Sequence, residues 1–211
     1  MKTNPRRSLR IVGIAAFVAA SACSDSDPAD LQTEPEPDPQ PLPAVVVEEG
    51  STIGTETFAP GNTASGGQGE VVSGIGCLGT AARHFHAHVS LFVEGDQKAI
   101  PPAIGITDPF FRDDYVIGGD CWYWLHTHDG TGVIHIEPPD DGAYTLGQLF
   151  DVWGQQLSDE GVAGFSGEVS VFVNGTRHNG DPREIVLTSR KHVSLQVGRP
   201  LAPIPIYIFQ N

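Results

Sequence analysis

Between Arg83 and Val93 the chain alternates with a period of two. Phe85, Ala87, Val89, Leu91 and Val93 fall on one side, and His84, His86, His88 and Ser90 fall on the other. Only an extended strand sends successive side chains to opposite faces. A helix would scatter these apolar residues around its axis. The segment therefore predicts a strand with one face in a core and three imidazoles on the other.

The same grammar recurs downstream. Cys121 to His128 and Val133 to Glu137 read as two arms of a hairpin around Asp129-Gly130-Thr131-Gly132. Further strands are expected at 168–174, 184–188 and 192–197. One helix is signalled near 145–157. Thr145 is its N-cap, Gln148 completes a capping box, and Tyr144 and Leu149 are placed for a hydrophobic staple. Leu146, Leu149, Phe150, Trp153 and Leu157 make its apolar stripe. The expected fold is mainly β (α+β): an antiparallel sheet or sandwich of short strands with one covering helix. Val89 to Gly95 and Val169 to Gly175 are similar strand-and-turn units 80 residues apart, which leaves room for two β-grasp-like units. The histidines precede only the first, so the unit itself does not need them.

Of eight histidines, six lie between residues 84 and 135. Period two puts His84, His86 and His88 on one face of their strand, and His126 and His128 on one face of theirs. If Gly130-Thr131 forms a two-residue turn, residue 126 stands opposite 135, with β-carbons about 5 Å apart. Glu137 shares that face, while Tyr123, Leu125, Ile134 and Ile136 face a core. Imidazole is the commonest protein ligand for borderline divalent metals. His126, His128 and His135, joined by His84, His86 or His88, are thus candidate ligands. Glu137 and Asp129 are candidates for a further ligand or for orienting an imidazole. His178 and His192 lie among polar residues and read as surface positions. Met1 is the only methionine, so soft cuprous chemistry has little support. Cu(II) or Zn(II) fit first, with Fe(II), Mn(II) and Ni(II) also compatible. The alternatives are a metal-dependent oxidoreductase or hydrolase with an open coordination position, and a sugar- or peptide-binding module built on Trp122 and Trp124.

The run Cys121-Trp122-Tyr123-Trp124-Leu125-His126-Thr127-His128-Asp129-Gly130-Thr131-Gly132-Val133-Ile134-His135-Ile136-Glu137 resembles a motif in a group of secreted bacterial and archaeal proteins. Those proteins also carry an upstream His-x-His run and a segment like Tyr144 to Gly154. The resemblance extends over most of 77–211. It implies export but no particular activity or metal.

The N-terminus supports export independently. Lys2, Arg6, Arg7 and Arg10 precede an apolar run from Ile11 to Ala20, the pattern of a signal peptide. Ala20-Ser21-Ala22-Cys23 resembles the lipobox of bacterial lipoproteins, which implies cleavage after residue 22 and a lipid on Cys23. Loss of those four basic residues from 12 leaves eight against 26 acidic ones, a formal charge of −18. Such a chain repels nucleic acid and anionic headgroups, so its expected membrane contact is the lipid alone. Residues 23–70, rich in Pro, Gly and acids, read as a tether to a single domain at 71–211, although Ala44 to Val47 could add a strand. With Cys23 acylated, Cys77 and Cys121 remain, and an oxidising compartment favours their bridging. A loop of this length is stabilised by about 4 kcal/mol. A Cys23→Ser protein should lose lipid labelling and move from the membrane to the soluble fraction; a soluble, unacylated wild type would contradict the lipoprotein expectation.

Overall fold

The computed structural model describes residue 38 and residues 41–209; the expected signal peptide and Cys23 lie outside them. In chain order the strands are β1 (Pro41–Val46), β2 (Phe85–Val93), β3 (Asp96–Lys98), β4 (Ile106–Thr107), β5 (Phe110–Arg112), β6 (Tyr115–Gly118), β7 (Cys121–Trp122), β8 (Leu125–His126) and β9 (Val133–Ile136). Helix α1 (Leu146–Trp153) follows. Then come β10 (Leu157–Ser158), β11 (Gly161–Val162), β12 (Phe165–Ser166), β13 (Val169–Val173), β14 (Thr176–His178), β15 (His192–Val197) and β16 (Ile204–Ile208). The fold is mainly β, as the alternation predicts.

The main sheet runs β14-β13-β15-β2-β9-β8. On the outer edge of β2, β9 pairs with its first half and β3 with its second. The pairings are antiparallel except at the centre, where β2 and β15 run parallel with His88 level with His192. The two similar units form matching hairpins, β2–β3 and β13–β14. Both turn through paired positive φ angles, Glu94-Gly95 and Asn174-Gly175. That mirror-image turn suits the right-handed twist of its strands.

One sheet face is the main core. Ala87, Val89, Leu91, Leu125, Ile134, Ile136, Val193 and Leu195 are buried there with Leu146, Leu149, Phe150 and Trp153 of α1. Each buried Val, Leu, Ile or Phe among them stabilises the fold by roughly 1.5–3 kcal/mol. The Thr145–Gln148 capping box is complete, with both reciprocal bonds made. The helix stops at Trp153, earlier than expected, because Gly154 turns into the left-handed region at φ 78°. Leu157 is still buried, but from β10. The opposite face is mixed: Ser90, Ser170, Ser194 and Gln196 are buried on it, and Phe172 packs there with Leu201 and Ile204. Its distal end is closed by the chain after β15, where Gln196 exchanges two hydrogen bonds with the Ala202 backbone.

Three further expectations change. The described part of the expected tether, 41–70, is joined to the domain. β1 pairs with β16, Ile53 N donates to Gly130 O at 2.9 Å, and Phe58 packs edge-on against Trp153. The glycine-rich stretch serves close approach: a Cβ on Gly66 would lie 2.4 Å from Val152 O. Residues 184–188 form no strand; a 3-10 turn at Pro182–Glu184 leads into backbone bonds with the start of α1. Cys121 to His128 is two short strands, β7 and β8, separated by a bend at Trp124.

A disulfide joins Cys77 to Cys121, with α-carbons 5.3 Å apart and a sequence separation of 44. Replacing both cysteines by serine should lower the unfolding free energy by about 4 kcal/mol, read from denaturant curves. A change below about 1 kcal/mol would show that the bridge does not restrict the unfolded chain.

Candidate metal centre

Three neighbouring strands present a histidine at one level. His135 of β9 stands opposite His86 of β2 on one side and His126 of β8 on the other. The opposition of His126 and His135 is the predicted register. The turn that sets it differs, because Thr127 to Gly132 form a wider loop instead of a two-residue turn. Asp129 organises that loop. Its carboxylate accepts from the backbone N–H of Gly50 at 2.9 Å, from that of Thr131 at 3.1 Å, and from the Thr131 hydroxyl. Asp129 is thus a loop-forming residue, and neither candidate ligand group includes it.

The loop sends His128 back to the cluster. His128 Nδ1 lies 2.7 Å from the carbonyl of Val116 in β6, and the Val116 N–H donates to His128 O. His126 Nδ1 lies 2.8 Å from Tyr123 O. A carbonyl only accepts, so each Nδ1 carries its ring's proton. Each Nε2 is then a bare lone pair in the neutral ring, and the two Nε2 atoms face each other 3.2 Å apart. Burial holds His126 neutral: it is fully buried, and desolvation, followed by His135 and His128, pushes its pKa down to about 3. Burial also lowers that of His128. Desolvation and the neighbouring imidazoles take His135 down to about 2.

A second group shares His135. His84 Nε2, His86 Nε2 and His135 Nδ1 are 2.9, 3.0 and 3.3 Å apart pairwise. A neutral ring nitrogen either carries a hydrogen or offers a lone pair. Among three mutually close nitrogens, at least one pair must therefore be like against like. Glu137 Oε1 lies 3.2 Å from His84 Nε2, 3.8 Å from His135 Nδ1 and 4.0 Å from His126 Nε2. His84, His86 and His135, and His126, His128 and His135, are each grouped closely enough to hold a metal ion. Tetrahedral ligands on zinc, at bonds of 2.0–2.1 Å, sit about 3.3 Å apart. The separations among His84, His86 and His135, and that between His126 and His128, already approach that spacing.

His88 does not join either group. Its Nε2 donates to Thr131 O at 2.9 Å and its ring stacks on Tyr207 at 3.8 Å. The returning strand β16 covers it, and burial, with His192 beside it, lowers its pKa to about 3. His178 and His192, expected at the surface, are both partly buried. His192 stands beside His88 and Tyr207. Trp122 sets its edge against His126 and His128, and Trp124 packs on Tyr144, so the two indoles form no shared platform. Tyr115, unremarked in the sequence, stacks on His128 at 4.7 Å. Its pKa rises to about 12 through burial, then through Glu49, Asp129 and Glu137. Val116 acts through its backbone, and no side-chain pattern reveals that. A 290 Å³ pocket reaches His86 and His135 between Glu48, Glu49, Asp129 and Tyr115.

Among the described residues, no helix is long and apolar enough to cross a membrane. Comparison with protein-family models, with curated proteins and with solved structures finds no match to the chain.

Buried histidines set a pH dependence. For His88 and His126 the folded pKa, about 3, lies below the unfolded value of about 6.5. Between those values the unfolded chain binds more protons, so stability is lost as pH falls. The metal-free protein should hold its stability above about pH 6.5 and lose roughly 1.4 kcal/mol per pH unit below it for each such histidine. Equal urea midpoints at pH 7 and pH 5 would contradict this.

Proposed function

We propose that this chain is an extracytoplasmic, lipid-anchored protein that binds a divalent transition metal, Cu(II) or Zn(II), at the imidazole cluster. The carrying observation is the facing pair of bare nitrogens, His126 Nε2 and His128 Nε2, 3.2 Å apart. Two lone pairs held this way repel in a site of low polarity. A cation bound to both turns the repulsion into coordination, and the Nδ1 contacts to Tyr123 O and Val116 O keep both rings oriented for it. His135 completes three ligands and Glu137 supplies the nearby negative charge.

The donors are imidazole and carboxylate, which suits borderline ions. The disulfide withdraws Cys77 and Cys121 from metal binding and agrees with an oxidising compartment. The pocket walled by Glu48, Glu49 and Asp129 offers cations a route to His86 and His135. An accessible site suits storage, buffering or sensing, where the ion must come and go. The same pocket favours a second reading, a metalloenzyme. An ion reached from that side keeps a position for an exogenous ligand, and azide should then perturb the spectrum of the Cu(II)-loaded protein.

The untagged full chain should take up Zn(II) at micromolar concentrations. His126→Ala or His128→Ala should weaken the first ion bound by more than about a hundredfold, since loss of an orienting partner alone costs about 10–100-fold. His178→Ala should bind as the wild type does. Failure of the wild type to take up divalent metal in a chelator-competition titration would overturn the proposal.

A further inference from the structure

The donors outnumber what one ion needs, and they fall into two sets. Zinc sites hold four ligands, whereas His84, His86, His126, His128, His135 and Glu137 all converge here. The division follows from the sheet. His86, His135 and His126 lie level on three adjacent strands, β2, β9 and β8. Adjacent strands are about 4.8 Å apart, so β2 and β8 are separated by two such spacings, with β9 between them. That leaves two gaps, one on each side of His135. His84 adds a nitrogen to the β2 side and His128 adds one to the β8 side. Glu137 Oε1 lies near one nitrogen of each set, 3.2 Å from His84 Nε2 and 4.0 Å from His126 Nε2.

We infer that the cluster is a binuclear centre: one divalent ion sits between His126 and His128, a second between His84 and His86, Glu137 is common to both, and His135, whose neutral ring offers a single lone pair, completes one of the two sets. The inference rests on the metal-binding reading above and extends it to two ions. A carboxylate between two ions is a usual bridge, and such ions lie about 3.5–4 Å apart. The two halves differ in access. His126 is fully buried, whereas the His84 side chain is about half exposed. The first ion therefore sits in the buried half, and the second binds at the open edge.

The test uses the untagged full chain, titrated with Zn(II) and separately with Cu(II), with bound metal measured by elemental analysis. The expected result is two ions per chain. His84→Ala, at a half-exposed position that folding tolerates, should bring the count to one and leave the affinity of the first ion within about threefold. Two Cu(II) ions should show magnetic coupling, with the isolated-ion resonance largely lost. One ion per wild-type chain, or two ions with independent resonances, would overturn the binuclear centre and leave the single-site reading standing. No ion at all would overturn both.

Discussion

Two backbone carbonyls set the proton positions in the imidazole cluster. Tyr123 O and Val116 O each take the Nδ1 proton of a histidine, and that leaves His126 and His128 facing each other through unprotonated nitrogens. Much of the surrounding structure holds that arrangement. Val116 is in position because β5 and β6 form an arm folded against the 127–132 loop. The loop keeps its shape through Asp129. Asp129 in turn binds the Gly50 backbone, and Ile53 pairs with Gly130. The segment entering the domain is therefore part of the site's support. The apolar face of the sheet, packed on α1, supplies the burial energy that offsets desolvation of the imidazoles.

The sheet face opposite α1 is divided along its length. At one end the histidines of β2, β8 and β9 gather around Glu137 beside an acidic pocket. At the other, Tyr207 and the chain around Ala202 cover His88, Ser90, Ser194 and Gln196. A histidine run with uniform spacing is thus split into different roles. His84 and His86 face the cluster, and His88 becomes a buried, neutral packing residue. The acidic balance of the chain adds a long-range attraction for cations.

How much of this could be read from the sequence depends on whether a feature is local. Alternation over Arg83 to Val93 and the capping box at Thr145 express short-range periodicity, and both appear as expected. The opposition of His126 and His135 also follows from counting inward from the arms, and it survives a change of turn. His88 could not be separated from His84 and His86, because the strand that covers it arrives from residues 204–208. The role of Val116 is carried by a carbonyl, which any residue has. Gly66 and Gly67 read as part of a tether, yet the helix C-terminus at Gly66 and the Tyr123 ring at Gly67 leave no space for a side chain. In each case the missing information is a contact between segments distant in the chain.

The central claim concerns the position of protons in the metal-free site. Nitrogen-15 NMR of the imidazole rings, without and with one equivalent of Zn(II), reads it directly. His126 and His128 should both carry their proton on Nδ1 in the metal-free protein, and both Nε2 resonances should move to metal-bound shifts when zinc is added. A proton on either Nε2, or two Nε2 resonances that ignore zinc, would contradict the account.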